Sequence, residues 1–496
     1  MTSPAAWGGV AVLADRADSL QGRISLTHGW VPVSVQVVAG LMVLLAIGWR
    51  TRRWRLVWLP MAAGLGAAAA WITHRIIISE GLAGSPAPDE LWVWVSASGL
   101  ALGVLIFGWR GAPWWRRGAA ATALPVCLLS VALAVNIWAG YFPTVQTAWN
   151  QLTAGPLPDQ ADRATVAAIS ATVRAGHLLP RRGSVIKVDI PSTASGFRHR
   201  GELVYLPPVW FATSPPPRLP TVMMIGGEFS TPADWIRAGN AVQTVDTFAA
   251  AHGGNAPVLV FVDSGGAFDN DTECVNGPRG RVADHLTKDV VPFMSSHFGV
   301  STDSANWGVA GWSMGGTCAV DLAVMHPEMF GSFVDIAGDI APSAGTRSQT
   351  VARLYGGDTA LAAQFDPVSV ITKHGPYQGV SGWFAVNARS GTWHPVPVAD
   401  IVPAAGSDAA GLPGDQMTAA EVLCALGAAN GIDCAVISQP GKHDWPFAAR
   451  VFATSLPWLA GAIGTPGVAR IPFQTPPAET PTIVRPTAPS AQAAAR

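Results

Sequence analysis

The stretch "WGVAGWSMGGTCAV", residues 307–320, holds an apolar run, a glycine-rich bend and the start of a helical pattern. Its reading decides the rest of the chain. Ser313 is either a nucleophile or a small residue in a bend. The five-residue pattern G-x-S-x-G is short, and in a chain with 53 glycines it carries little alone. Its surroundings carry more. "NWGVAG" supplies a strand that ends before the serine. "GGTCAVDLAVMHPEMF" supplies a helix behind it, with Ala319, Val320, Ala323 and Val324 available for burial. Small residues at 311, 315 and 316 let such a strained turn close.

A serine in that turn needs a base, and the chain order Ser, acid, His puts the histidine in a loop after the last strand. "QPGKHDWPFAARVF" places His443 directly after a strand at 434–441 and ahead of a closing helix. Of eleven histidines this one has the right address; His252, His297 and His326 fall within or at the ends of helices. No histidine pair shows metal-ligand spacing, and no cofactor is implied. An oxyanion needs two backbone N–H groups. Met314 after the nucleophile offers one. The loop "MIGGEFS" offers the other from Gly227 or Glu228.

Around these motifs, strand-like runs at 184–190, 199–207, 221–227, 256–263, 307–311, 330–338, 381–388 and 434–441 alternate with helical patterns at 233–252, 281–298, 315–326 and 417–430. That order predicts an α/β domain over 181–466, with a mostly parallel sheet covered on both faces and an antiparallel hairpin of the first two strands at one edge. Residues 143–180 read as a connector, with a helix near 162–175 capped by Asp162 or a residue just upstream. The Pro-, Ala- and Thr-rich stretch 467–496 reads as a disordered tail.

The front of the chain has a different composition. Charged residues make up 13% of the whole, half of a soluble average, and 49% are hydrophobic. The apolar excess lies in residues 1–142, in runs at 31–49, 56–73, 91–109 and 118–140 that hold no Lys, Arg, Asp or Glu. Each is about long enough to cross a ~30 Å hydrocarbon layer as a helix. Trp49, Trp58, Trp92, Trp109 and Trp138 mark their ends as interfacial anchors. Arg50, Arg52, Arg53 and Arg55 fill one turn and Arg110, Arg116 and Arg117 another, while the intervening loop has one Arg and three acids. The positive-inside rule then puts both termini, and the α/β domain, outside the cell membrane. Residues 1–30 lack the pattern of a cleaved signal peptide. The net charge of −1 gives no case for nucleic-acid binding.

"LVYLPPVW…LPTVMMIGG", "GWSMGG" and "GKHDW" together resemble the esterase family of the α/β-hydrolase fold, which includes S-formylglutathione hydrolases, enterochelin esterases and the mycobacterial mycolyltransferases. The likeness spans about 182–465, and the apolar front followed by "NIWAGYFPTVQTAW" looks like membrane-tethered actinobacterial members. The resemblance implies a serine esterase with Ser313 as nucleophile, His443 as base and an acid after the strand before the last one. Here the chain departs from the family. "SGWFAVNA" runs on with no acid at once after it, and the Glu that mycolyltransferases carry near that point is missing. Asp408 is the expected orienting acid, followed by Asp400 and then Asp415, which also suits a helix cap.

The expected function is hydrolysis of an ester, lipid-linked or of the cell envelope, outside the membrane. Mycolyl-type acyl transfer and hydrolysis of an aminoacyl lipid are the alternatives, and a non-catalytic envelope protein is the reading from another class. Composition does not set the oligomeric state. Five cysteines leave room for bridges. Cys424 and Cys434 flank one helix-to-strand turn, Cys274 and Cys318 form the other candidate pair, and Cys127 lies in the fourth apolar run. "FDNDTEC" (268–274) lacks the Gly and distal Glu of a calcium loop and reads as a solvated loop.

Overall fold

The computed structural model describes residues 24–48, 50–79, 87–153, 157–176, 178–388 and 415–473; Trp49, Asp400 and Asp408 lie outside the described residues. Among the described residues four long helices come first: α1 (Trp30–Ile47), α2 (Leu59–Ser79, entered through a wide turn over Trp54–Trp58), α3 (Asp89–Gly108) and α4 (Trp114–Ala139). All are long and apolar enough to cross a membrane. Leu44, Leu56, Trp71, Val93, Ile106 and Leu128 point outward from the bundle, an exterior suited to hydrocarbon. Where α2 crosses α3 the backbones nearly touch. A side chain at Gly99 would come within 2.7 Å of the Leu65 carbonyl, and one at Gly103 within 2.6 Å of Ala62 Cα. Small residues at such crossings let dispersion bind helices that lipid alone does not press together. At the arginine-rich end, Arg50 donates to the carbonyls of Ala46 (2.7 Å) and Gly108 (2.8 Å), covering the C-termini of α1 and α3.

The chain leaves the opposite end of the bundle at Gly140, whose φ of 62° ends α4. The Asn136 carboxamide fixes this exit by donating to the Phe142 carbonyl (2.9 Å) and accepting from the Phe142 N–H (2.6 Å). Gly140 lies against the α/β domain: a Cβ there would stand 2.5 Å from Asp444 Cβ and 3.1 Å from Pro446 Cδ. Tyr141 hydrogen-bonds the buried Asp234 carboxylate. The domain therefore sits at the end of the bundle away from Arg50 and Arg116. The connector folds as α5 (Val145–Leu152), the two-residue β1 (Gln160–Ala161) and α6 (Arg163–Arg174), whose cap Asp162 accepts from the Thr165 N–H.

One nine-stranded sheet follows. Its strands are β1, β2 (Ser184–Val188), β3 (Glu202–Leu206), β4 (Thr221–Ile225), β5 (Val258–Val262), β6 (Trp307–Trp312), β7 (Ser332–Ile336), β8 (Ser381–Ala388) and β9 (Asp433–Pro440), in spatial order β1-β2-β3-β5-β4-β6-β7-β8-β9. β3 runs antiparallel to β2 and β5, and every other pair is parallel. The expected hairpin is β2–β3, but Gln160↔Val185 pairing puts β1 outside it, so the hairpin is not the edge. β4, β5 and β6 are buried throughout, as a sheet covered on both faces requires. α8 (contiguous segments Val282–Asp284, His285–Val290 and Val291–Phe298), α9 (Met314–Met325) and α12 (Gln416–Ala429) line one face. α7 (Ala241–Ala251) and α13 (Trp445–Ala462) cover the other.

Three regions differ from the sequence reading. The pattern at 233–252 is a short turn at Asp234–Arg237 and then α7, broken where Asn240 takes φ 52°. Between β7 and β8 lie α10 (Arg347–Tyr355), opened by a Thr346–Gln349 capping box, and α11 (Pro367–His374). The packed domain runs through Phe473, which stacks on Trp458 at 4.8 Å and approaches Trp383 at 6.1 Å. A tail reading from 467 averaged this aromatic anchor into its proline-rich surroundings.

Cys274 is bonded to Cys318 on α9, and Cys424 on α12 to Cys434 on β9. Cys127 is free and buried. The first bridge closes 44 positions and the second 10. Chain-entropy scaling gives about 4 kcal/mol for the longer loop and about 3 kcal/mol for the shorter. Replacing Cys274 and Cys318 by Ala is therefore expected to lower the denaturant midpoint of the α/β domain more than replacing Cys424 and Cys434, measured by tryptophan fluorescence in detergent.

Candidate active site

β6 delivers Ser313 at the carboxyl edge of the sheet and α9 leads away from it. Ser313 holds φ 57° and ψ −122°, a strained conformation for a residue with a side chain. The turn is over-determined. Ser313 N–H donates to the Ile336 carbonyl (2.9 Å), and the Ser313 carbonyl accepts from Gly316 N–H (2.7 Å). A side chain at Gly311 would run into the Gly315 backbone, and one at Gly315 into the carbonyls of Ile225 and Gly226. These two positions admit only glycine because β4, β6 and α9 meet there.

His443 comes from the loop between β9 and α13. Its Nε2 lies 2.9 Å from Ser313 Oγ. The Trp312 indole lies against the imidazole at 4.3 Å between centroids and 33° between planes. Burial holds the imidazole down to about 4, so at neutral pH it is an uncharged base facing a hydroxyl. On the other side, Nδ1 is 3.1 Å from Gln416 Nε2 and 3.4 Å from Gln416 Oε1. Gln416, the first residue of α12, also donates from Nε2 to the Ala337 carbonyl (2.8 Å). Asp415 is not in this set. It caps α12, accepting from Thr418 N–H (3.0 Å) and Thr418 Oγ1 (2.7 Å), and capping needs its carboxylate turned toward the helix N-terminus.

The backbone expected to face an oxyanion comes from the start of α9 and the loop after β4. Met314 N–H opens α9, where intrahelical acceptors are lacking. Gly227 presses on the nucleophile: a Cβ there would stand 3.1 Å from Ser313 Cβ, so only a bare backbone approaches this closely. Glu228 follows it. The turn from Gly227 to Ser230 is closed by Ser230 N–H to Gly227 carbonyl (3.1 Å). Arg200 holds it in place. Its Nη2 donates to the Ser230 carbonyl (2.8 Å) and to Asp263 Oδ1 (2.6 Å), and its Nε to Asp263 Oδ2 (3.0 Å). Burial pushes Asp263 upward, but the hydrogen bonds and charge of Arg200 outweigh it and hold the carboxyl below its usual range. Neither Arg200 nor Asp263 carries a local sequence signal.

Two clusters of buried ionisable groups flank this site. "FDNDTEC" is solvated only in its first half: Phe268 and Asp269 are exposed, but Asp271, Thr272, Glu273 and Cys274 are buried, where the bridge to Cys318 ties the loop to α9. Burial, then Asp271, Asp339, Glu228 and Asp321, push Glu273 well above the carboxylate range. Burial also lifts Asp271 and Asp339 to about 6, with Arg279 opposing it at Asp271. The second cluster is His199, Glu202 and His285, whose donor atoms lie within 4.8 Å of one another. The two imidazoles stack at 4.4 Å and 25°, so their in-plane lone pairs do not converge on one metal position. Instead His285 donates to Glu202 (3.0 Å) and Asp289 (3.3 Å). Burial lowers its pKa, but those two partners outweigh it and leave it raised.

A half-buried serine–histidine pair on a strand–turn–helix elbow defines a serine hydrolase on an α/β-hydrolase fold. Residues 197–430 match the esterase family model, described as "Putative esterase", and the α/β domain is that of a carboxylic ester hydrolase. An uncharacterized protein of Corynebacterium glutamicum is 29% identical over 384 residues, covering 75% of this chain and 86% of its own. Among solved structures, the chain is similar to a ferulic acid esterase (16% identity, 57% of this chain and 99% of that one, TM-score 0.41). It is also similar to an S-formylglutathione hydrolase from Agrobacterium tumefaciens (17%, 57% and 97%, TM-score 0.40) and to MPT51 of Mycobacterium tuberculosis (19%, 56% and 97%, TM-score 0.35).

Because the neutral imidazole is the working form, activity is full above its pKa and is lost as pH falls through it. The kcat/KM for a short activated ester is expected to stay level from pH 7 to pH 5 and to halve near pH 4, read from initial rates in constant-ionic-strength buffers. Arg200→Ala frees the oxyanion turn and leaves Asp263 buried without its partner. A loss of kcat of about a hundredfold, the size of one missing oxyanion donor, is expected in steady-state kinetics.

Proposed function

We propose that this chain is a membrane-anchored, extracytoplasmic serine esterase acting on an ester of the membrane to which it is tethered. The observation that carries the chemistry is the 2.9 Å contact between His443 Nε2 and Ser313 Oγ. Ser313 Oγ attacks the ester carbonyl while its proton passes to His443 Nε2. The carbonyl oxygen becomes an oxyanion held by the backbone N–H of Met314 and of Gly227 or Glu228. The tetrahedral species collapses, the C–O bond to the alcohol breaks, and the alcohol leaves with the proton from His443. Water then attacks the acyl-Ser313 carbonyl, giving its proton to His443, and the acid departs as Ser313 recovers its hydrogen.

The contact of Gly140 with Asp444 supports the lipid substrate. The apolar helix α4 ends at Ala139, and the residue after the catalytic histidine touches the next position. In this reading the site stands near the depth where ester linkages of lipids lie, and the arginine-rich turns at the far end support an outward-facing domain.

The buried acids favour a second reading, in which the acyl group carries an ammonium, as in an aminoacyl lipid. Glu228 beside the nucleophile belongs to the same field as Glu273, Asp271 and Asp339, and an entering cation would relieve their mutual repulsion.

The test uses the full chain in vesicles. Wild type should turn over a short activated ester and an ester lipid in its own bilayer, and Ser313→Ala should turn over neither. Retained hydrolysis by Ser313→Ala would remove the mechanism. Free acid as product marks hydrolysis, and a new ester marks transfer. A matched pair of aminoacyl and plain acyl lipids separates the two substrate readings, the aminoacyl lipid showing the higher kcat/KM if the acids serve the substrate.

A further inference from the structure

We propose that Gln416 is the positioning residue that stands third in the catalytic set, in the place where a carboxylate is expected. This rests on the serine-esterase reading of Ser313 and His443. For Ser313 Oγ–H to donate to Nε2, the imidazole proton must be on Nδ1, and Nδ1–H then needs an acceptor. Among the described residues, the side-chain partner of Nδ1 is the Gln416 carboxamide, at 3.1 Å from Nε2 and 3.4 Å from Oε1. The carboxamide is held from behind by the Ala337 carbonyl at 2.8 Å. Ala337 is itself fixed, with φ 53° and its N–H donating to the Ala385 carbonyl of β8 at 2.8 Å. With one Nε2 hydrogen engaged by Ala337, the carboxamide presents Oε1 (3.4 Å) as acceptor for Nδ1–H, the tautomer that lets Nε2 take the serine proton, and its second Nε2 hydrogen (3.1 Å) as donor to the other tautomer.

An amide in this role differs from a carboxylate in two ways. It brings no negative charge to stabilise the imidazolium that forms when Ser313 gives up its proton. It can also donate its second N–H to Nδ1, so it holds either tautomer. Among the described residues, the charged side chains on the elements around the imidazole are Lys442 and Asp444 on its own loop, Asp415 and Glu421 on α12, Asp433 on β9, Arg450 on α13, Asp321 on α9, Asp335 and Asp339 at the end of β7, and Glu228 on the loop after β4. None of them contributes to the low basicity of His443, which comes from burial alone. Asp444 is turned away, accepting from the Phe447 N–H (2.9 Å) at the start of α13.

The experiment compares Gln416→Ala, Gln416→Glu and the helix-cap control Asp415→Asn with wild type, using a short activated ester across pH 3.5–8. Gln416→Glu is nearly isosteric and places an anion beside Nδ1. It should raise the acid-limb midpoint by about one to three pH units and increase kcat above that limb. Gln416→Ala should lower kcat at least about tenfold with KM within about twofold, and Asp415→Asn should leave the midpoint where it is. The proposal is overturned if both Gln416 variants keep the wild-type kcat and midpoint. It is equally overturned if Gln416→Ala stays active while Asp408→Asn or Asp400→Asn abolishes turnover. Loss of the esterase reading itself would look different: Ser313→Ala would keep the activity, whatever the Gln416 variants do.

Discussion

The structure turns on one short contact between residues 130 positions apart, the Ser313 hydroxyl and the His443 imidazole. It forms only if three constraints hold together. β6 must end in a turn that accepts a positive φ at a serine, and the two glycines on either side make that possible. β9 must lie two strands from β7 so that its following loop returns over the same edge. Trp312 must pack against the imidazole and keep water from its ring. The strain at Ser313 is sustained by the Ile336 and Gly316 hydrogen bonds and by the close packing of β4 against α9, which is the condition for storing it at all.

Supports reach outward from that contact in layers. Arg200 ties the oxyanion turn to Asp263 at the end of β5, and Glu202 and His285 hold the segment that carries Arg200. Cys318, one turn into the nucleophile helix, is bonded to Cys274 and pulls a set of acids against the same helix. At the other end of the site, the loop carrying His443 rests on the end of α4. A chain whose hydrolase domain were merely tethered would need no such contact. Here the end of the apolar bundle and the loop carrying His443 share a boundary.

Much of this was legible in the sequence because it is local. The strand at 307–312, the glycines after it and the apolar face of α9 give the elbow, and the position of His443 after the last strand is what brings its imidazole beside Ser313. The apolar runs and their arginine turns give the bundle. What was not legible depends on partners far apart in the chain. Gln416 shows no pattern, since its meaning comes from where β9 brings His443. Asp415 reads correctly as a cap because capping is decided within four residues. The loop 268–274 reads as solvated because acids usually are; its second half is buried by the bridge to Cys318 together with the Arg279 and Ser264 contacts, none of them local in the sequence. Arg200 and Asp263 stand 63 positions apart and become a pair only when β3 lies beside β5.

The central claim is that Ser313 is a nucleophile made reactive by His443. The most direct measurement is peptide mapping by mass spectrometry after the full chain reacts with a fluorophosphonate. The account predicts one phosphonyl adduct, on the peptide containing Ser313, that forms quickly in wild type and at least about a hundredfold more slowly in His443→Ala. An adduct on another residue, or the same rate of labelling with and without the imidazole, would contradict it.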